Sequence, residues 1–197
     1  MRENLLPLLS FAFSMCATPG PNNIMLAASG ANFGFRRTIP HIFGIVTGMS
    51  ILFVLSAMGL GVLFYKFPLL QTMMKICGSL YLIYLALKII LLKREENSRR
   101  KNEPLNIMQA MGFQFLNPKA LMMVVTALSM FTDSGDGYII SSSKVTFVFI
   151  IVCVPSISMW AGIGTLISRF LENNYVFRGF NIFMGLLIIG SLWFILK

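Results

Sequence analysis

The residues best suited to chemistry fall in two short runs. Thr18-Pro19-Gly20-Pro21-Asn22-Asn23 interrupts one long apolar stretch, and Asn117-Pro118-Lys119 interrupts another. A proline inside a helix removes a backbone hydrogen bond and clashes with the preceding turn, at a cost of about 3 kcal/mol. Hydrocarbon holds no water to repair that loss, so such a break needs protein or a wet cavity around it. Thr and Asn are good N-caps, and proline suits the first helical position. Thr18-Pro19 and Asn117-Pro118 are therefore each expected to start a new half-helix. Its N-terminus would offer free N–H groups and roughly +0.5 of a charge, which suits a carboxylate. The carbonyls ending the preceding half would suit an ammonium or a coupling cation. Together they could hold a zwitterion without any ionised side chain. A lone proline more often just kinks a helix, but two capped breaks in corresponding positions point to a binding site.

Lys119 is the charged residue set within a break. A charge at that depth costs at least ~2.5 kcal/mol, so it either faces a cavity, where it could bind a carboxylate or cycle a proton, or snorkels to the interface. Every acidic residue (Glu3, Glu95, Glu96, Glu103, Asp133, Asp136, Glu172) is placed in a loop or tail. A hard-cation site wants buried carboxylates, so neither a metal nor a cofactor is expected, and a buried Asp or Glu proton relay is excluded. One histidine and no buried acid leave hydrolytic or metal-dependent catalysis without its parts, and the chain is not expected to be an enzyme. His41, beside Arg36 and Arg37, reads as an interfacial residue. Asn22 and Asn23 are expected at the site, with Asn181 bracing helices. Gly44, Gly48, Gly162 and Gly164 should allow close helix packing. Tyr81, Tyr84 and Trp160 read as packing or lipid-facing. Cys16, Cys77 and Cys153 form no C-x-x-C and read as plain apolar packing.

The elements that must position these residues follow from composition. Of 197 residues, 56% are hydrophobic and 12% charged, against about 25% charged in soluble domains. With roughly 20 apolar residues per crossing, the chain has room for about six spanning helices and no separate soluble domain. The apolar stretches run over 5–32, 42–65, 68–92, 107–131, 145–168 and 179–196. Gly34 to His41, Asp133 to Lys144 and Arg169 to Arg178 read as polar separators, with a tight turn around Lys66-Phe67-Pro68. The N-terminal run from Leu5 to Phe13 mimics a signal peptide, but Glu3 offsets Arg2 and Met15 spoils the cleavage site, so it is read as a retained helix. A charged loop over 93–106 divides the single transmembrane domain into halves, 1–92 and 107–197. Three crossings per half would give the halves opposite orientations, with helices 1 and 4 broken.

The net charge of +9 does not signal nucleic acid, because the basic residues cluster at helix ends and in that loop. Arg36, Arg37, Lys88, Lys93, Arg94, Arg99, Arg100, Lys101, Arg169 and Arg178 lie on one side, outnumbering Arg2, Lys66, Lys75, Lys144 and Lys197 on the other. The bias puts the loop in the cytoplasm and both termini outside.

The run Ala17-Thr18-Pro19-Gly20-Pro21-Asn22-Asn23, ending in Gly34-Phe35-Arg36-Arg37, closely resembles the signature of the lysine-exporter and homoserine/threonine-exporter (LysE/RhtB) family. Gly78 to Lys88, Phe113 to Lys119 and Asn181 to Gly190 fit the same family, so the resemblance covers nearly the whole chain. It implies efflux of amino acids or close derivatives across a bacterial inner membrane, driven by the proton gradient. Phe113 to Phe131 looks most like the branch that exports cysteine and O-acetylserine. The matching site positions are Thr18, Pro19, Gly20, Pro21, Asn22, Asn117, Pro118 and Lys119. Two other readings stand beside this one: a six-span assembly protein without a substrate, and an exporter of another small polar metabolite. A homo-oligomer is compatible with all three.

Overall fold

Large apolar side chains cover the outside of this structure, and several polar ones are buried within its largely apolar interior. Leu6, Phe43, Leu80, Met122, Phe147 and Trp193 are exposed, while Asn23, His41, Gln114, Asn117 and Asn181 are buried. The computed structural model describes residues 5–60, 66, 68–92 and 103–196. These residues form α1 (Leu5–Ala17), α2 (Pro21–Phe33), α3 (Phe35–Leu55, continued by a π-helical turn, Ser56–Leu60), α4 (Pro68–Ile90), α5 (Ile107–Leu116), α6 (Pro118–Phe131), α7 (Tyr138–Ile167) and α8 (Asn174–Leu196). Phe35–Gly59, Thr72–Ile90, Gly135–Phe170 and Asn174–Trp193 are long and apolar enough to cross a membrane. The helices α1, α5 and α6 are shorter and apolar. The turn expected around Lys66-Phe67-Pro68 falls largely on residues 61–65 and 67, and most of the charged loop on 93–102, both outside the described residues.

Both expected interruptions are present, between α1 and α2 and between α5 and α6. Three helices begin earlier than the apolar pattern indicates. Most of the separator Gly34 to His41 is helix, because Gly34 alone makes the corner (φ 79°) and Thr38 Oγ1 donates to the Gly34 carbonyl at 2.9 Å. Residues 138–144 are likewise helix, with the hydroxyls of Ser141, Ser142 and Ser143 returned to backbone carbonyls of the preceding turn. The start of α8 moves to Asn174, where the Asn173 side chain accepts the Tyr175 N–H at 2.8 Å. Polar residues at these ends extend helices beyond the apolar zone instead of breaking them.

The helix α2 lies at the centre, with almost every residue from Asn23 to Ala31 buried. It packs chiefly on α7, while α3 packs on α5 and α4 on α8. Membrane helices gain no hydrophobic drive against lipid and associate through close backbone contact at small residues. At the α2–α7 crossing, a Cβ on Gly30 would overlap the Ala161 carbonyl, and one on Gly164 the Ala27 carbonyl. At the α3–α5 crossing, a Cβ on Gly48 would lie 2.6 Å from the Met111 carbonyl oxygen. Gly162 faces open space and takes no part in packing, contrary to its spacing. Gly30→Val should therefore lower stability by about 1–3 kcal/mol or more through overpacking, while Gly162→Ala leaves it unchanged or slightly raised. Thermal unfolding of the detergent-purified variants checks this, and equal melting temperatures would refute the crossing.

Candidate functional site

The second break forms as its sequence indicates. Asn117 is extended (φ −91°, ψ 103°), Pro118 opens α6, and the Asn117 side chain accepts the Lys119 N–H at 3.2 Å. The first break starts its helix two residues later than expected. Thr18 is not the N-cap; Gly20 is, at φ −171° and ψ 175°, with Pro21 as the first helical residue. The residue before a proline is driven out of the α region, so Pro21 holds Gly20 extended and Pro19 cannot begin the helix. The Thr18 hydroxyl turns back toward the Met15 carbonyl at 3.4 Å. No side chain caps α2, so of the two new half-helix N-termini, this one keeps its leading N–H groups available.

The carbonyls released at the first break are met by side chains from other elements. Asn23 Nδ2 donates to the carbonyls of Cys16 and Thr18, both at 2.8 Å. Trp160 Nε1 donates from α7 to the Ala17 carbonyl at 3.0 Å. From the second break, Lys119 Nζ reaches the Thr18 carbonyl at 2.9 Å and the Thr18 hydroxyl at 3.0 Å, with the Pro19 carbonyl at 3.5 Å. Lys119 thus faces the opposing break and does not snorkel. The cation expected at these carbonyls is already present, as the chain's own ammonium. A second bond between the breaks is a reciprocal amide pair: Asn22 Nδ2 donates to Gln114 Oε1 at 2.8 Å, and Gln114 Nε2 to Asn22 Oδ1 at 3.3 Å.

A recess lies where the breaks meet. Of the residues expected there, Gly20, Pro21, Asn22, Asn23, Asn117 and Lys119 line it. Thr18 and Pro19 are exposed and join through their bonds to Lys119, whereas Pro118 shapes the start of α6 without lining the recess. Gly20 is tight against the lysine, since a Cβ there would stand 3.0 Å from Lys119 Cδ and Nζ. Cys16 and Cys153, read as plain packing, belong to the buried apolar cluster and border the recess. Gln114 was missed although its signal is visible, an amide alone in an apolar run three residues before Asn117. Trp160 carries no local signal, because its partner is 143 residues away. Asn181 braces as expected, pairing with Asn32 at 2.7 and 3.0 Å to join α8 to α2.

Broken helices that meet at a recess, within a bundle whose outer surface is largely apolar, are the features of a multi-span helical membrane protein. The LysE type translocator pattern matches residues 13–192, and the chain belongs to that family. It is 28% identical over 176 residues to the cysteine/O-acetylserine efflux protein of Salmonella typhimurium, covering 87% of each chain. A cysteine/O-acetylserine efflux protein of Escherichia coli is 29% identical over 175 residues, again covering 87% of each. The uncharacterized membrane protein YrhP of Bacillus subtilis is 24% identical over 211 residues, covering 95% of this chain and 96% of the relative. No solved structure gives a significant match.

Asn23→Leu would leave the Cys16 carbonyl unpartnered in an apolar setting, a loss of about 1–3 kcal/mol. Thermal unfolding in detergent should show a clear drop, whereas an unchanged midpoint would mean that the break is not held by this amide.

Proposed function

We propose that this chain is a secondary transporter that exports small amino acids or close derivatives across the bacterial inner membrane by alternating access. The observation that carries this reading is the Lys119 ammonium resting on the carbonyls of the opposite break, beside the uncapped N-terminus of α2. The incoming ammonium takes over the Thr18 and Pro19 carbonyls from Lys119. The released Lys119 and the leading N–H groups of α2, at Asn22 and Asn23, take the carboxylate. The substrate ammonium replaces the lysine ammonium on the carbonyls and the freed lysine pairs with the carboxylate, so no charge is left buried and unpaired. Cysteine and O-acetylserine, named for the relatives above, carry the ammonium and carboxylate that this arrangement would receive, and the family resemblance implies that proton antiport drives the export.

Six crossings in two inverted halves suit this mechanism. At 1.5 Å per residue, α1 with α2 spans about 40 Å and α5 with α6 about 36 Å, so each broken pair is long enough to cross once. Exchanging the halves maps the packing of α1 on α7 onto that of α5 on α3 and leaves α3 on α7 and α4 on α8 in place, whereas α2 packs on α7 far more extensively than α6 does on α3. The two halves, 1–92 and 107–197, would rock about the recess, with the basic loop in the cytoplasm.

The test is accumulation of amino acids and O-acetylserine in the medium of cells expressing the protein, compared with Lys119→Met and Pro21→Ala. Expression of the intact chain should raise one or a few of these solutes outside, and Lys119→Met should abolish the rise while the protein stays folded in the membrane. If nothing moves across the whole panel with the protein in place, amino-acid export falls. Wild-type export by Lys119→Met would remove the lysine from the mechanism.

A further inference from the structure

A second cavity, half open to the outside, lies at the other end of α2. It opens between the last turn of α2, the start of α3, the end of α4 and the segment ahead of α5. His41, read from sequence as interfacial, is 1% exposed and lines this cavity. Among the described residues neither of its ring nitrogens has a hydrogen-bond partner. Buried polar atoms are nearly always partnered, and a group left unmet carries its full desolvation cost. The neighbouring polar groups cannot help, because they are engaged elsewhere. The Ser29 and Thr38 hydroxyls are hydrogen-bonded to each other at 2.9 Å, and Thr38 also donates to the Gly34 carbonyl. The Asn32 amide donates to the Ala28 carbonyl at 2.8 Å and is paired with Asn181.

Two opposite charges line the same cavity from different elements, Lys88 in the last turn of α4 and Glu103 ahead of α5, and both are exposed. The remaining wall is apolar, with Met25, Leu85, Ile89 and Leu105 among its members. A ligand that satisfies all of these groups carries one carboxylate, one ammonium and a small, largely apolar remainder. We propose that this cavity is a second binding site for an amino-acid zwitterion. Lys88 and a His41 N–H take the carboxylate, Glu103 takes the ammonium, and the apolar wall takes the side chain.

The proposal rests on the export reading, which supplies the reason for two such sites in one chain. Asn23 at the first recess and Asn32 at the second cavity are separated along α2 by about 14 Å. The exposed rim takes an amino acid from water on the side that carries Arg36 and Arg37, and α2 connects that waiting position to the recess between the breaks.

Equilibrium binding to the full chain in lipid nanodiscs tests the proposal, using labelled O-acetyl-L-serine and each protein amino acid as probes. The intact protein should bind about two equivalents of an exported probe. His41→Phe and Lys119→Met should each reduce this to about one, at different sites. Lys88→Gln alters only an exposed position, so folding is preserved; it should weaken the second site about tenfold, the loss of one charge-assisted hydrogen bond. A single equivalent in the intact protein, lost in Lys119→Met and unchanged in His41→Phe and Lys88→Gln, overturns the second site and leaves the export reading standing. No binding of any probe, by protein that also exports none, overturns both.

Discussion

Backbone carbonyls without water are the constraint on which this structure depends. Ending α1 at Ala17 in the middle of an apolar bundle releases carbonyls that lipid cannot satisfy, each costing several kcal/mol if left unmet. The donors that meet them come from three places: Asn23 across the break, Trp160 on α7 and Lys119 on α6. Those donors in turn fix where α6 and α7 lie. A local defect in one helix thereby specifies the arrangement of distant helices, and the recess is the space left between them.

The rest of the packing works through closeness. The four small residues Ala27, Gly30, Ala161 and Gly164 bring the backbones of α2 and α7 into contact. Uncharged amide pairs, Asn22 with Gln114 and Asn32 with Asn181, hold α2 against α5 and α8. Such bonds contribute only about 0.6 kcal/mol each in membranes, so their role is to fix register and orientation. Large apolar side chains cover the outer surface, and Phe53, Phe113 and Phe149 are buried inside it.

Much of this was legible from residue types. The two breaks, the role of Asn117 as cap and the brace at Asn181 follow from short polar runs in apolar surroundings, whereas Lys119 was open between a cavity and the interface until its bonds to Thr18 placed it. What was not legible had physical reasons. Thr18 has the chemistry of an N-cap, but Pro21 holds Gly20 extended and moves the start of the helix to itself. Arg36 and Arg37 made the segment after Gly34 look like a loop, yet arginine is a good helix former where a helix leaves the apolar zone. For the same reason His41 looked interfacial: its charged neighbours mark the end of the helix, while its own face points inward. Trp160 meets Ala17 only in the folded bundle, so no local pattern could announce it.

The corner at Gly34 has a mechanical consequence. Only one residue separates α2 from α3, and the junction is fastened by the Ser29–Thr38 hydroxyl pair and by the Arg37 guanidinium 5.6 Å from the centre of the Phe33 ring. So short a connection has no slack, so α2 and α3 turn together. Since α2 is also seated on α7 through its glycine contacts, this rigid pair meets the second half at the close crossing of Gly30 and Gly164, about which it would pivot as a unit. The end of α1 is carried with that pair across the break, because Asn23 of α2 holds the carbonyls of Cys16 and Thr18.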